Sequence, residues 1–205
     1  MAFPSRLTSK MSGATVHQLT YWRAQNILVP EIESEKSPYL YSFRDIIALR
    51  TFAWIRGDHS LQMIRRMFDT LGELDMVEHP SAYKIVKLGS SLGVQRDDGV
   101  IIDVAKEPGQ EVLGTLQNVF EEFEGFRGRH VDDLLHPRRG VEVNPDRLGG
   151  WPTIVGTRIP YDTIADLIAD GSIPPESIAN YYPGVTADAA RDALSYQNSI
   201  ATVSA

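Results

Sequence analysis

The sequence contains no cysteine among its 205 residues. This absence excludes disulfide bonds, thiolate metal sites and cysteine nucleophiles, and with them several classes of enzyme and metal sensor. Long apolar runs are also missing, since no stretch approaches the roughly 18 to 20 apolar residues that a membrane helix needs. The opening residues, MAFPSRLTSK, lack the apolar centre of a secretory signal. We therefore expect a cytoplasmic protein without a membrane segment.

Positive charge is scarce, because 20 Lys and Arg stand against 27 Asp and Glu and give a formal net charge of -7. Such a balance argues against nucleic-acid binding, which depends on cations that displace phosphate counterions. The average hides a division, however. Residues 1–70 hold 9 Lys and Arg against 6 Asp and Glu, whereas the rest of the chain holds 11 against 21. A mildly basic N-terminal part therefore precedes an acidic body, as expected if one end binds nucleic acid and the remainder binds a partner.

Turn signals and hydrophobic periodicity divide the chain into three predicted parts of an α+β, mainly α, protein. Residues 1–75 predict a winged helix-turn-helix, in which short helices surround a hairpin. Residues 76–139 predict a β-rich middle segment followed by a connection, and residues 140–205 predict a small three-helix bundle. The apolar fraction of 42% is ordinary for a folded chain.

Helix start signals recur along the first part. A helix can run from Ser5 to the glycine turn at Gly13, and Thr15 can cap a second helix. Ser42, with Asp45 three residues later, has the spacing of a capping box for a third helix. Between the second and third helices, two apolar groups flank a polar stretch and predict the two short strands of a wing. The apolar residues are Leu28, Val29, Ile32, Tyr39, Leu40 and Tyr41.

The middle part changes to a β-type pattern. Residues 83–88 and 100–104 predict two or three short strands, separated by turn-forming residues such as Gly93 and Gly99. Residues 112–123 then carry apolar residues at helical spacing and predict a helix. We interpret Glu121, Glu122 and Glu124 as a solvated face rather than as acid–base groups.

The third part begins with a predicted strand at residues 141–144 and continues through a glycine-rich loop at residues 149–160. Helices are predicted at residues 161–170 and 175–182, and a third is predicted to begin after the cap Thr186.

Four segments of the first part follow one another in a characteristic order. They are Leu19-Thr20-Tyr21-Trp22-Arg23, Asn26-Ile27-Leu28-Val29-Pro30, Tyr41-Ser42 with Asp45, and Gly57 before Ser60-Leu61-Gln62-Met63-Ile64. Together, residues 12–74 resemble the MerR-like winged helix-turn-helix family. Thr20 stands where that family has a phosphate-contacting arginine, and Arg23 stands where it has a glutamate. The resemblance implies that the second helix binds promoter DNA. Because one small domain of modest charge has limited affinity, we expect a dimer that binds two half-sites.

The second predicted helix has the two faces that a recognition helix requires. Its core side carries Val16, Leu19 and Trp22. The predicted DNA-binding residues are Thr15, His17, Gln18, Thr20, Tyr21, Arg23, Lys36, Tyr39 and Arg44. Gln18 can read an adenine edge, and the others mainly suit phosphates. Two alternatives stay open: Tyr21 can be a core aromatic residue, and His17 can be merely solvated.

The loop at residues 149–160 reads Gly-Gly-Trp-Pro-Thr-Ile-Val-Gly-Thr-Arg-Ile-Pro. This motif, with Tyr182-Pro183 and Ala193-Leu194-Ser195-Tyr196 after it, resembles a small helical domain family of unknown function. Members of that family are similar to antitoxins encoded beside PIN-like nucleases, the VapB–VapC arrangement. The order of the whole chain resembles the larger, noncanonical VapB-like antitoxins of actinobacteria.

Within this motif the glycines allow a sharply turning loop and the prolines fix its direction. The predicted toxin-binding or loop-organising residues are Gly149, Gly150, Pro152, Gly156, Thr157 and Arg158. Arg158 can pair with acidic groups of a partner, such as the metal-binding carboxylates that the resemblance implies for a PIN-like toxin. Equally, it can tie the loop to a neighbouring helix.

Other clusters do not predict chemistry. His130 and His136 flank Asp132 and Asp133, but their spacing does not place both rings on one helical face. The glycine-rich loop lacks the Gly-Lys-Ser/Thr ending of a phosphate loop. We therefore predict no enzyme, cofactor or metal site.

The sequence predicts a homodimeric antitoxin that binds operator DNA, represses its own operon and neutralises a PIN-like nuclease toxin. One alternative is a stand-alone MerR-like regulator whose acidic body binds a small effector. Another is a nuclease or hydrolase that the winged helix targets to DNA.

Overall fold

The computed structural model describes residues 1–74, 78–96, 98–112 and 119–203, in which short helices alternate with small antiparallel sheets. The N-terminal elements are β1 (Phe3–Pro4), α1 (Ser5–Ser12), α2 (Val16–Ala24), β2 (Leu40–Tyr41), α3 (Phe43–Asp58) and α4 (Leu61–Glu73). This mixed but mainly helical content agrees with the predicted fold class. Across the described ranges, no helix has the length and apolar character needed to cross a membrane.

The predicted helix starts are confirmed. Thr15 Oγ1 accepts the Gln18 N–H at 3.0 Å, and Gln18 Oε1 accepts the Thr15 N–H at 2.8 Å. Ser42 and Asp45 form a second capping box at the start of α3. Each box satisfies backbone donors that the first turn of a helix leaves without partners. Gly13 ends α1 at a φ of 80°, in the left-handed conformation that glycine adopts readily.

The wing prediction requires correction. The predicted hairpin is reduced to one bridge, in which Glu33 and Leu40 exchange N–H to carbonyl hydrogen bonds of 3.1 Å. Residues 28–32 form no strand, because Pro30 has no N–H to donate and Leu28 turns into the helical core, where it is 4% exposed. Strand β2 pairs instead with β1, near the start of the chain.

A four-stranded antiparallel sheet forms the middle part. Its strands, in spatial order, are β3 (Lys84–Leu88), β4 (Ser91–Gln95), β5 (Ile101–Asp103) and β6 (Glu111–Val112). Strands β3 and β5 confirm the two predicted strands, but Gly93 lies within β4 rather than in a turn. A Cβ at Gly93 would stand 3.0 Å from the Ile102 carbonyl oxygen. This glycine therefore allows close strand packing, a role that local sequence does not distinguish from a turn.

Half of the helix predicted at residues 112–123 falls outside the described residues, since 113–118 are not among them. Its described ends are not helical. Val112 belongs to β6, and Phe123 belongs to β7 (Phe123–Glu124), which pairs with β8 (His130–Val131). The glutamates predicted as a solvated face, Glu121, Glu122 and Glu124, are exposed.

The C-terminal part contains β9 (Val141–Glu142), β10 (Thr153–Ile154), α5 (Tyr161–Ala169), a 3-10 helix (Pro175–Asn180) and α6 (Ala187–Ala201). The predicted three-helix bundle is therefore two α-helices and a 3-10 helix. Pro175 opens the middle segment and Pro183 closely follows it, so too few residues remain between them for a regular α-helix. Thr186 caps α6 by accepting the Ala189 N–H at 3.1 Å.

One hydrophobic core joins the two ends of the chain. Phe3 and Leu49 belong to the same buried cluster as Ile154 and Ile164. A second core fills the space between the ends of α3 and α4 and the middle sheet. The predicted first and third parts therefore pack together, while the middle sheet shares a second core with α3 and α4.

Arg50 of α3 is 1% exposed and links these regions. Its guanidinium donates five hydrogen bonds to backbone carbonyl oxygens, which belong to Met11, Val119, Phe120, Glu121 and Asp132. Burial lowers its pKa to about 10. An arginine is suited to this position because its planar donors can satisfy several acceptors at once.

Candidate nucleic-acid interface and C-terminal loop

Helix α2 buries one side and exposes the other. Leu19 and Trp22 are each 2% exposed, and Trp22 packs edge-on against Phe52 of α3, with ring centres 5.7 Å apart. His17 and Thr20 lie on the opposite side and are exposed. The predicted core role of Trp22 is confirmed. The helix thus has a polar outer side of the kind that enters a major groove.

Three of the predicted DNA-binding side chains, those of Thr15, Gln18 and Thr20, already bond to the backbone of their own helix or its cap. Gln18 Oε1 accepts the Thr15 N–H at 2.8 Å, and Thr20 Oγ1 donates to the Val16 carbonyl oxygen at 3.1 Å. While the Thr15 bond persists, Gln18 Oε1 is turned toward the start of its own helix, whereas a two-point contact with adenine needs both the amide oxygen and Nε2 directed at the base. Its Nε2 donors remain. Its position three residues after a threonine cap was the sequence signal for this second role.

Arg65 of α4 was not among the predicted site residues, yet it contacts two side chains on the outer side of α2. Its Nη2 donates to the Tyr21 hydroxyl at 2.6 Å and to Gln25 Oε1 at 2.8 Å. Tyr21 is half-buried, so it lies between the two alternatives of core residue and surface contact. No local sequence pattern connects Arg65 with Tyr21, because the two residues are 44 positions apart.

Arg23 and Tyr39 connect α2 to the loop before β2. The Arg23 guanidinium carbon lies 3.3 Å from the centre of the Tyr39 ring. Burial raises the pKa of Tyr41, and the positive charge of the nearby Arg23 partly opposes this shift. Two of the predicted phosphate contacts are therefore neighbours that support each other through a cation–π contact.

The remaining predicted cations lie nearer to solvent. Lys36 is exposed on the loop, and Arg44 is exposed at the start of α3. Arg44 Nη1 lies 3.4 Å from Glu31 Oε1, an exposed ion pair of the kind that contributes little to stability. Both cations can therefore be offered to phosphate at small cost.

A cluster near the base of this loop joins Glu31, Asp45 and His79, whose ligand atoms lie within 4.8 Å of one another. Hydrogen bonds within the protein account for it. Asp45 Oδ2 accepts the Ser42 and Glu31 N–H groups at 2.7 and 3.0 Å, and Asp45 Oδ1 lies 3.2 Å from His79 Nε2. The cluster holds the loop and the segment after α4 against the start of α3.

The two histidines that the sequence analysis set aside have separate neighbours. His130 lies 3.5 Å from Asp132 and His136 lies 3.7 Å from Asp133. Asp132 also pairs with Lys10 at 2.8 Å. Within the described ranges these groups form no common three-ligand cluster.

The first end of the C-terminal loop packs against the N-terminal part. Gly149 and Gly150 have φ values of 58° and 83°, and a Cβ at Gly150 would stand 2.4 Å from the ring of Phe43. Trp151 stacks on Phe3, with ring centres 5.4 Å apart and planes inclined by 27°. The predicted turning role of these glycines is accompanied by a packing role that joins the two ends of the chain.

The second end of the loop is a turn fixed by hydrogen bonds. Gly156, at a φ of 73°, donates its N–H to Glu142 Oε1 at 2.9 Å. Thr157 Oγ1 donates to the Ile154 carbonyl at 2.9 Å and accepts the Ile159 N–H at 3.0 Å. Thr157 thus organises the loop. Pro152 lies buried between the two ends, and its carbonyl accepts the Tyr161 N–H at 3.1 Å.

Arg158 projects from this turn into solvent. It is exposed, and its side chain makes no hydrogen bond or ion pair with the part of the chain that the structure describes. Val155 on the same turn is 43% exposed. A tie to a neighbouring helix, one of the two alternatives for Arg158, is not present among these residues.

Comparisons with known proteins match two separate parts of the chain. Residues 5–71 match the family described as "MerR HTH family regulatory protein", and residues 141–197 match "Protein of unknown function (DUF433)". The crystal structure of Rv2018 from Mycobacterium tuberculosis is similar in fold, with a TM-score of 0.55 and 17% identity over 94% of this chain and 96% of that one.

Among curated proteins, none matches the chain significantly. The helix-turn-helix match indicates a DNA-binding regulator, in agreement with the polar outer side of α2. The chain thus carries a MerR-family helix-turn-helix domain at its N-terminal end and a DUF433 domain at its C-terminal end.

Proposed function

We propose that this DNA-binding regulator is an antitoxin, which binds its operator as a homodimer through α2 and neutralises a PIN-like nuclease through its C-terminal turn. The observation that carries the toxin-binding half is the exposed Arg158, held on a fixed turn without a partner among the described residues. The resemblance of residues 141–199 to the antitoxin-associated family supports the same assignment.

The turn favours recognition of an acidic partner. An arginine without an internal ion pair can bind a carboxylate without first losing another contact, and its planar guanidinium suits two-point binding. The bonds from Glu142 and Thr157 hold the backbone of the turn in place, which reduces the entropy lost when a partner binds. A nuclease that gathers carboxylates around a divalent metal offers the complementary charge.

Operator binding is the second half of the proposal. The outer side of α2, the Arg23–Tyr39 contact and the exposed Lys36 together offer groups for bases and phosphates. One such domain has few cations, so we infer that two copies bind two half-sites.

Reconstitution tests the proposal. The chain is co-expressed with the product of the adjacent gene, the complex is purified, and RNA cleavage by that product is measured with magnesium, with and without the chain. We expect a stable complex and suppressed cleavage, whereas two proteins that elute separately with unchanged cleavage would contradict toxin binding. We assign no catalysis to the chain itself, and we expect it to cleave neither RNA nor DNA with magnesium or manganese.

A second candidate is a regulator that binds a small effector, and one observation favours it. A cleft of about 430 Å³ lies between α1, β8 and the end of α6, and its lining includes Lys10, Arg129 and Thr15, the cap of α2. Its volume is within the range of ligand pockets, and a ligand there would touch the start of α2. A screen for metabolites that raise the melting temperature and change DNA affinity separates this candidate from the antitoxin.

A further inference from the structure

Hydrogen bonds inside the protein fix which way the donor and acceptor atoms of three side chains on one side of α2 point. Gln18 and Tyr21 of α2, and Gln25 at its C-terminal cap, are spaced by three and four residues, so they follow one stripe along the helix. In each, the oxygen is already engaged. Thr15 N–H donates to Gln18 Oε1 at 2.8 Å, and Arg65 donates to the Tyr21 hydroxyl at 2.6 Å and to Gln25 Oε1 at 2.8 Å.

The chemistry of the partners settles the direction of these bonds. A backbone N–H and a guanidinium can donate but not accept. Each glutamine must therefore turn its oxygen toward the protein and its Nε2 hydrogens away from it. Tyr21 must accept from Arg65, which leaves its own hydroxyl proton for another acceptor. Among the described residues, none of these outward donors has a hydrogen-bond acceptor.

We propose that this stripe of α2 selects guanine, because it directs hydrogen-bond donors outward while its amide oxygens are turned toward the protein. The inference rests on the proposed operator binding. In the major groove guanine offers two adjacent acceptors, N7 and O6, whereas adenine places the N6 donor beside its N7. An amide that presents only its NH2 group is satisfied by guanine and meets a competing donor on adenine.

Thr20 lies beside this stripe and offers hydrogen-bond acceptors instead of donors. Its hydroxyl donates to the Val16 carbonyl oxygen at 3.1 Å, so its lone pairs remain available and its proton does not. A phosphate oxygen can only accept, which makes Thr20 a poor phosphate contact in this rotamer. The N4 group of cytosine is a donor exposed in the same groove. A guanine–cytosine pair therefore complements both the donors of the stripe and the acceptor of Thr20.

Two substitutions test the stripe without breaking its internal bonds. Gln18→Glu keeps an acceptor for the Thr15 N–H, and glutamate is a regular partner in a capping box. Gln25→Glu keeps an acceptor for Arg65. Each removes both outward donors, and the added negative charge weakens binding to every DNA sequence alike. Asn26→Asp adds the same charge next to the stripe and serves as the matched control.

The experiment begins with selection of binding sites for the full-length chain from a random duplex pool. Each selected guanine is then replaced by adenine or by 7-deazaguanine, and the affinity ratio between the two DNAs is measured for every variant. We expect guanines whose replacement weakens the wild-type complex about tenfold. The ratio should fall toward one in Gln18→Glu or Gln25→Glu at the base that each contacts, and should stay at the wild-type value in Asn26→Asp.

Adenine at the contacted positions, or ratios unchanged in both glutamate variants, would overturn the inference while leaving operator binding intact. A selection that yields no preferred sequence, with equal affinity for all DNA, would instead contradict operator recognition itself. Melting temperatures measured in parallel confirm that each variant remains folded, so a changed ratio reports on base contact.

Discussion

The two ends of the glycine-rich loop at residues 149–160 have similar composition but opposite surroundings. A Cβ at Gly150 would stand 2.4 Å from the Phe43 ring, whereas nothing lies within 4 Å of the same position at Gly156. The first end fastens the C-terminal domain to the N-terminal domain, and the second end displays Arg158. One motif can therefore pack against another domain at one end and expose a side chain to solvent at the other. Only the residues that surround each end in the structure show which role it has.

The largest expected effect is a difference in stability between substitutions at the two ends of the loop. Gly150→Ala combines a positive φ with a collision against Phe43, and should lower the free energy of unfolding by about 3 kcal/mol. Gly156→Ala meets only the positive φ and should cost about 1 kcal/mol. Urea denaturation of both variants checks the difference. Equal losses would show that Phe43 does not restrict the first end.

Substitution of Glu142 should affect both the stability of the protein and the position of Arg158. Its carboxylate accepts the Gly156 N–H at 2.9 Å and pairs with Arg147, so Glu142→Ala should lower the free energy of unfolding by about 1 kcal/mol. The loosened turn should also weaken the toxin complex several-fold, because Arg158 is then less well positioned. Calorimetric titration of the variant against the toxin measures this. An unchanged affinity would mean that the order of the turn does not matter for binding.

The smallest stability effect is expected at Arg158. Since its side chain has no partner among the described residues, Arg158→Ala should change the free energy of unfolding by less than about 0.5 kcal/mol. Toxin affinity should nevertheless fall, by a factor of about 10 to 100 if the arginine forms a charge-assisted pair. Arg139→Ala, at an exposed arginine in the connection just before the C-terminal part, is the control. Equal losses of affinity in both variants would indicate general electrostatic attraction rather than a contact by Arg158.

Local signals predicted the helix starts correctly. The capping boxes of Thr15 with Gln18 and of Ser42 with Asp45 depend on residues three positions apart, so they can be recognised in a short window of sequence. The polar outer side of α2 follows from helical periodicity in the same way. The match of residues 5–71 to the MerR family agrees with this part of the sequence analysis.

Contacts between distant segments could not be predicted from such windows. Arg65 contacts Tyr21 across 44 positions, and Gly150 meets Phe43 in another part of the chain. Gly93 resembles a turn residue by type, yet it lies in a strand because Ile102 approaches it closely. The wing prediction was wrong for a related reason, since β2 pairs with β1 rather than with residues 28–32, which precede it in sequence. In each case the deciding partner is remote in the chain.

The measurement that tests the central proposal most directly is the mass of the species formed on DNA from upstream of the chain's own gene. Mass photometry of this DNA with the chain alone, and then with the product of the adjacent gene, distinguishes the possible assemblies. We predict a dimer on the DNA that gains mass when the second protein is added, and we predict that Arg158→Ala abolishes this gain. A second protein that never joins the DNA-bound chain or the free chain would contradict the antitoxin assignment.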